Sequence, residues 1–180
     1  MEFGTFTVGR STIESPVYVN PRPLIAQPDA LRAAAELIRE RAELATARRH
    51  NRAKPFELVA GVPMGGLHLA TAYALRTGTP LIYVRPNSVP GAPRIEGRYL
   101  PGQHVLIVDD LITTGGSVIE TATALRSDGL DVREVIVLID RDQGSGRRLA
   151  QHGLNLISIL SLRAMLNYYM SQQLVRESDY

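Results

Sequence analysis

The stretch Val-Leu-Ile-Val-Asp-Asp-Leu-Ile-Thr-Thr-Gly-Gly-Ser, residues 105–117, decides the fold. Its first four residues form a short apolar run, which is typical of a strand buried on both faces of a parallel sheet. Asp109 and Asp110 stand at the carboxyl end of that run, and a helix is predicted to begin near Gly116. A strand, an acidic pair, a small polar loop and a helix start in this order predict a ligand site at a sheet edge.

The loop that follows the acidic pair suits a phosphate group. The unpaired amides at a helix N-terminus, together with the positive end of the helix dipole, favour a dianion. Gly115 and Gly116 let the backbone approach a ligand closely, since neither carries a side chain. Thr113, Thr114 and Ser117 add hydroxyl donors. We therefore interpret this loop as a phosphate-binding loop.

Asp109 and Asp110 call for a different partner, because carboxylates repel a phosphate. They suit the vicinal hydroxyls of a sugar, bound directly or through Mg²⁺, which prefers oxygen ligands. The whole stretch thus predicts a site for a ribose 5-phosphate. The alternative interpretation is a buried strand and a capped helix with two exposed acids. The coincidence of all features within so short a stretch favours the sugar-phosphate site.

Length and composition exclude several classes of protein. The chain has 180 residues, 44% of them hydrophobic and 21% charged, which predicts one globular domain spanning residues 1–180. No apolar run approaches the roughly 20 residues of a membrane helix, and the N-terminus lacks a signal pattern. Cysteine is absent, so disulfides and thiolate chemistry are excluded. A net charge of +2 is too small to imply nucleic acid. We expect a cytoplasmic protein without membrane partners.

Strand and helix patterns alternate along the chain. This alternation predicts an α/β fold with a doubly wound, mainly parallel sheet flanked by helices, preceded by a small N-terminal β segment over residues 1–20. Residues 85–103 are rich in Pro and Gly and are predicted to form a long loop. The predicted strands are 57–60, 80–84, 105–108, 132–139 and 154–160, and the predicted helices are 28–49, 67–76, 116–127, 147–152 and 162–173.

Residues 105–117 resemble the phosphoribosyl pyrophosphate (PRPP) motif of type I phosphoribosyltransferases. Four further segments narrow the resemblance to the orotate phosphoribosyltransferases. They are Ser-Pro-Val-Tyr-Val-Asn at 15–20, Gly-Val-Pro-Met-Gly-Gly-Leu-His-Leu-Ala-Thr at 61–71, Leu-Ile-Asp-Arg-Asp-Gln-Gly-Ser-Gly at 138–146, and Gly-Leu-Asn-Leu-Ile-Ser-Ile-Leu-Ser-Leu-Arg-Ala-Met-Leu at 153–166. The resemblance extends over nearly the whole chain, and it implies the type I phosphoribosyltransferase fold.

The resemblance also implies a reaction and a set of site residues. Ribose 5-phosphate would pass from PRPP to orotate, giving orotidine 5′-monophosphate and pyrophosphate, with Mg²⁺ as cofactor in a homodimer. Asp109, Asp110 and Arg85 would be catalytic. The substrate-binding residues implied are Asp109 and Asp110 for the ribose, Thr113, Thr114, Gly115, Gly116 and Ser117 for the 5-phosphate, Val62, Met64, Gly65 and Gly66 for the pyrophosphate, Arg141 for the orotate carboxylate, and Arg10 and Arg94 as further cations.

The chain departs from the family pattern in the predicted loop. The family's mobile loop carries two lysines, and here Pro86 and Val89 stand in their places, while Arg85 is retained. Lys54 is the only lysine among the 20 basic residues, so no nearby lysine can replace them. Losing one preorganised cation commonly costs about 10²- to 10³-fold in rate. Slow turnover, a PRPP- or nucleotide-binding protein with little activity, or transfer to another base therefore remain alternatives.

Two further assignments carry alternatives. Arg141 could instead be a surface arginine paired with its neighbours Asp140 and Asp142. His68 and His104 are interpreted as structural residues, because one falls on a predicted helix and the other at a strand start. Neither histidine is included in the predicted site.

Overall fold

A computed structural model of the chain describes residues 2–8, 13–48, 53–86 and 94–174. Within these ranges a six-stranded sheet is flanked by helices, and a separate two-stranded hairpin precedes it. The elements are β1 (Glu2–Val8), β2 (Ile13–Tyr18), a 3₁₀ helix (Arg22–Ala26), α1 (Pro28–Ala47), β3 (Leu58–Gly61), α2 (Gly65–Thr77), β4 (Leu81–Val84), β5 (Ile95–Glu96), β6 (His104–Ile112), α3 (Gly116–Ser127), β7 (Asp131–Asp140), α4 (Ser145–Gln151), β8 (Asn155–Ser161) and α5 (Leu162–Ser171).

Strand β6 is the central strand of the sheet. The strand order is β5-β4-β3-β6-β7-β8, and every neighbouring pair is parallel except β4 and β5. Val105 and Ile107 face one hydrophobic core, whereas Leu106 and Val108 face the other. All four side chains are fully buried, because helices cover both faces of the sheet. The prediction of a strand buried on both faces is confirmed.

The helices divide between the two faces of the sheet. Ala34 and Ile38 of α1 and Leu69 of α2 pack in the core that also receives Leu166 of α5. Leu125 of α3 and Leu149 of α4 pack in the core on the opposite face. This arrangement confirms the predicted doubly wound fold, and burial of these apolar stripes is what holds the layers together.

The chain reverses its direction of travel across the sheet between β3 and β6. From β3 it moves outward to β4 through α2, and it then returns to place β6 on the other side of β3. The loops that follow β3 and β6 therefore diverge to opposite faces and leave a crevice between them. Such a switch point is where ligands bind in open α/β sheets. The fold thus brings residues 62–66 and the end of β6 together.

Several predicted boundaries differ from the structure in ways that matter for the site. Strand β6 continues to Ile112, so Asp109 and Asp110 belong to the strand and not to a loop after it. Helix α2 begins at Gly65, two residues before its predicted start, because Gly65 and Gly66 adopt helical geometry against β6. Residues 95–96 form β5, which pairs antiparallel with β4 in a region predicted to be all loop. A strand of only two residues is too short to show a hydrophobic period in the sequence.

The N-terminal β segment is a hairpin of β1 and β2. It joins the rest of the fold where Val17 and Val19 enter the core that α1 and α2 share. No helix within the described residues is long and apolar enough to span a membrane.

Candidate functional site

A cleft of about 670 Å³ lies at the carboxyl end of the sheet, where β3 and β6 meet. Its walls come from four places: the loop after β3, the end of β6 with the start of α3, the segment after β2, and the loop and helix after β7. The lining residues are Tyr18, Val19, Asn20, Pro21, Arg22, Val62, Pro63, Met64, Gly65, Asp109, Asp110, Leu111, Thr113, Thr114, Gly116, Ser117, Glu120, Arg141 and Arg148.

Asp109 and Asp110 form the floor of this cleft. Asp109 is 7% exposed, and its Oδ1 accepts a hydrogen bond from the Asp110 amide at 2.9 Å. Asp110 Oδ1 accepts from the Leu111 amide at 2.9 Å, which orients the second carboxylate. Burial, and then the neighbouring Asp110 carboxylate, raise the pKa of Asp109 well above its ordinary range. The pair therefore offers one preoriented acceptor carboxylate and one carboxyl group that resists ionisation.

Two glycines let the first turn of α2 approach the acidic pair. A Cβ on Gly66 would lie 2.5 Å from the Val108 carbonyl oxygen and 2.8 Å from the Asp109 Cα. A Cβ on Gly65 would overlap the Asp110 carboxylate. The close packing of helix against strand thus requires glycine at position 66, whereas a side chain at position 65 would displace the Asp110 carboxylate. As a result the loop before α2, in which the Pro63–Met64 peptide is cis, lies directly beside the carboxylates.

The predicted phosphate loop leads into α3. Gly115 is the N-cap residue with a φ of 82°, and no side chain caps the helix among the described residues. The first amides of α3 are consequently available to a ligand. Thr113, Thr114, Gly116 and Ser117 line the cleft, as predicted for a phosphate site. Gly115 does not line the cleft. A Cβ on Gly115 would overlap the side chain of Leu149, so this position faces Leu149 instead.

Arg141 lies inside the cleft wall and is only 3% exposed. Its amide donates to the Ile112 carbonyl at 3.0 Å, and its Nη2 donates to the Val17 carbonyl at 2.7 Å. Burial lowers the pKa of this guanidinium. The interpretation of Arg141 as a surface arginine is therefore wrong, and Asp140 instead accepts hydrogen bonds from Ser145 Oγ and the Asp142 amide.

The other predicted cations lie elsewhere. Arg85 does not line the cleft; it forms an ion pair with Glu96, and its amide donates to the Arg94 carbonyl at 2.8 Å. The short β4–β5 ladder thus holds Arg85 and Arg94 at the edge of the sheet.

Gly66 is buried beneath the acidic pair and does not reach the cleft surface. Arg10 and residues 87–93 lie outside the described residues, so the predicted roles of Arg10 and of the loop stay predictions.

Sequence reasoning overlooked part of the cleft wall. Tyr18 to Arg22 line it, although the resemblance to a family segment covered only residues 15–20. Their position directly after a strand was an available signal. Glu120 and Arg148 lie on helices that follow the two site loops, and nothing in the local sequence distinguishes them from solvated charges.

Comparison with known proteins agrees with this fold. The phosphoribosyl transferase domain family matches residues 24–153. The orotate phosphoribosyltransferase of Pyrococcus furiosus is 36% identical over 162 residues, which cover 89% of this chain and 85% of that protein. Uridine 5′-monophosphate synthase of Bos taurus is 36% identical over 92% of this chain, but the chain spans only 33% of that longer protein.

Solved structures of orotate phosphoribosyltransferases also resemble this fold. The crystal structure of orotate phosphoribosyltransferase from Aeropyrum pernix has a TM-score of 0.79 at 34% identity, covering 93% of this chain and 92% of that chain. The Mycobacterium tuberculosis H37Rv orotate phosphoribosyltransferase in complex with PRPP has a TM-score of 0.69 at 28% identity, covering 83% of each chain. Fold and site together define a phosphoribosyltransferase. Within that class, the chain belongs to the orotate phosphoribosyltransferase family, and the resemblance in its sequence is confirmed.

Proposed function

We propose that this chain transfers ribose 5-phosphate from PRPP to orotate, a step of pyrimidine biosynthesis that yields orotidine 5′-monophosphate. One observation carries the proposal: an acidic pair, an uncapped helix N-terminus and a buried arginine line one cleft. These groups match, in order, the ribose hydroxyls, the 5-phosphate and the carboxylate of orotate. The relatives and neighbouring structures that bear the name orotate phosphoribosyltransferase support it.

The reaction joins N1 of orotate to C1 of PRPP while the bond from C1 to the diphosphate oxygen breaks. The diphosphate leaves with the bonding electron pair. Orotate already carries negative charge, so the chain need not supply a nucleophile. Its task is to hold both substrates in line and to stabilise the charges that develop, which is catalysis by positioning and electrostatics.

Asp109 and Asp110 are the residues that would hold Mg²⁺ together with the substrate's oxygens. The donor set fits, because Mg²⁺ takes oxygen ligands and usually keeps several from water and phosphate. Within the described residues no group of three or more His, Cys, Asp or Glu could hold a metal alone. Bound there, the ion would neutralise part of the diphosphate charge.

The loop composition favours a second candidate, a PRPP- or nucleotide-binding protein with little turnover. Pro86 occupies one lysine position of the family loop, and Arg85 is engaged by Glu96. Steady-state formation of orotidine 5′-monophosphate separates the two candidates, since only the enzyme produces it. Calorimetric titration with PRPP, orotidine 5′-monophosphate and uridine 5′-monophosphate then distinguishes a binding protein from a transferase for another base. Tight binding without turnover would favour the second candidate.

We further propose that the chain forms a homodimer. Leu37 and Leu44 of α1 are exposed, and Leu75 on the adjacent α2 is 84% exposed. Large apolar side chains on packed neighbouring helices support an interface there. Light scattering at tens of micromolar would return twice the 19.7 kDa mass of the chain. A monomer under those conditions would contradict the proposal.

A further inference from the structure

Arg148 is held next to the phosphate loop by the packing of α4. The following residue, Leu149, is fully buried, and it fills the space that a side chain on Gly115 would need. The amino end of the helix is anchored as well, since Ser145 Oγ donates to Asp140 at 2.9 Å. The backbone at Arg148 is thus fixed relative to Gly115, the N-cap of α3.

The Arg148 side chain lines the cleft together with Thr114, Gly116 and Ser117. Within the described part of the chain, its guanidinium makes no hydrogen bond or ion pair. Other arginines of the fold are engaged: Arg126, for example, donates to the carbonyls of Val132 and His152. Arg148 is therefore a cation that the fold positions at the cleft without giving it a described protein partner.

The charge balance of the cleft explains why a cation is needed at this place. Asp110 lines the cleft, and a carboxylate there repels a phosphate dianion. Of the arginines in the wall, Arg141 donates to the Val17 carbonyl, and Arg22 lies beside Gly65 and Asp110. Among the arginines that the structure describes in the wall, Arg148 alone is fixed beside the phosphate loop.

We propose that Arg148 binds the 5-phosphate of PRPP and of the nucleotide product. The planar guanidinium can donate two parallel hydrogen bonds to phosphate oxygens, while the α3 amides and the threonine hydroxyls donate from the other side. This assignment rests on the proposed function, and it adds a binding residue outside the motif. Arg148 makes the site select a phosphorylated ribose over the free nucleoside.

The test compares orotidine 5′-monophosphate with orotidine, which lacks only the phosphate. Arg148→Gln removes the charge and keeps most of the side-chain length, so it should weaken binding of the nucleotide about tenfold or more. Its affinity for orotidine should equal that of the parent. Arg147→Gln is the matched control, because Arg147 is the neighbouring exposed arginine and does not line the cleft. Arg148→Lys should recover part of the lost affinity.

Kinetics provide a second readout. In Arg148→Gln the KM for PRPP should rise about tenfold, in line with the lost binding contact, while kcat changes less than about twofold. Equal nucleotide affinity in the parent and in Arg148→Gln would overturn the proposal, as would an equal loss for orotidine. A parent that binds neither PRPP nor the nucleotide would instead refute the proposed function, and this inference with it.

Discussion

At the scale of single residues, the proposed selection of the base depends on Arg141. A buried guanidinium is costly to desolvate. Here its Nη2 donates to the Val17 carbonyl, and the Arg141 amide donates to the Ile112 carbonyl, which together set its position. A ligand that brings a carboxylate pairs with this group and binds more tightly. A ligand without a carboxylate leaves the guanidinium unpaired and binds more weakly. Base selection in this cleft is therefore expected to rest on one side chain.

Arg141→Ala should lose orotate affinity far more than PRPP affinity. A charge-assisted hydrogen bond is worth about 1.5–3 kcal/mol, so orotate binding should weaken about 10- to 150-fold. Calorimetric titration of each ligand measures the two changes separately, with Arg147→Ala as the exposed control. A parent that binds uracil and orotate equally would remove the basis for this role.

Gly66 tests whether close packing positions the acidic pair. Gly66→Ala should destabilise the fold by about 1–3 kcal/mol, because the new Cβ would meet backbone atoms of Val108 and Asp109 that cannot yield without moving β6. PRPP binding should fall as well. Gly146→Ala is the control, since no heavy atom lies within 4 Å of its added Cβ. Helix α4 should become slightly more stable, because alanine has a higher helix propensity than glycine. Equal free energies of unfolding for Gly66→Ala and Gly146→Ala, measured by chemical denaturation, would contradict this account.

At the scale of elements, the segment between β4 and β5 lacks the two lysines that the resemblance implies, and Pro86 and Val89 stand in their places. The described ends of this segment are tied together by the Arg85–Arg94 backbone bond and the Arg85–Glu96 ion pair. Proline at residue 86 fixes φ and stiffens the entrance to the loop. The described residues at both ends of this segment are therefore constrained.

Restoring the missing ammonium groups should accelerate turnover. Pro86→Lys combined with Val89→Lys is expected to raise kcat about tenfold or more, because a cation can then stabilise the departing diphosphate. Pro86→Gln with Val89→Gln is the matched control, since it removes the same side chains without adding charge. Steady-state formation of orotidine 5′-monophosphate measures both. A parent with high activity that Arg85→Ala leaves unchanged would show that loop cations are dispensable.

At the scale of the whole molecule, a buried ion pair lies at the amino end of the sheet, remote from the cleft. His104 Nε2 lies 2.8 Å from Glu134 Oε2, and Nδ1 lies 3.1 Å from the Lys54 carbonyl. Carbonyls only accept, so Nδ1 carries a proton, and a second proton lies between Nε2 and the carboxylate. Burial is the largest single effect and lowers the pKa of His104. The hydrogen bond and charge of Glu134, the Pro55 carbonyl and the charge of Asp131 together outweigh it, so the net shift is upward. The prediction of a structural histidine is consistent with this geometry.

This pair should make stability depend on pH. Because folding raises the pKa of His104, its stabilising contribution is complete below the unfolded value of about 6.5 and is lost as pH rises through the folded pKa. Glu134→Gln should reduce the free energy of unfolding below pH 6.5 and flatten its decline above that pH. Urea unfolding between pH 5.5 and 9 measures both curves. Parallel curves for the parent and the variant would exclude the pair as the source.

The local sequence was sufficient for the order of the longer helices and strands and for the acidic pair and loop at the centre of the cleft. Apolar runs and amphipathic stripes repeat at short range, so they predict β6, α3 and the doubly wound sheet directly. The acidic pair and the phosphate loop are contiguous in residues 109–117, and their chemistry can be read without knowledge of distant contacts. The boundaries were less accurate, because strand pairing carried β6 to Ile112 and packing drew α2 back to Gly65.

Only the tertiary structure decided which distant groups complete the cleft. Arg141 is buried because Val17, 124 residues earlier, supplies its acceptor, and no local pattern encodes that contact. Arg148 lines the cleft because Leu149 packs on Gly115. Arg85 lies outside the cleft and forms an ion pair with Glu96 of the two-residue strand β5. Periodicity and motifs report interactions within a few residues, whereas the burial and pairing of a charge depend on which surfaces the folded chain brings together.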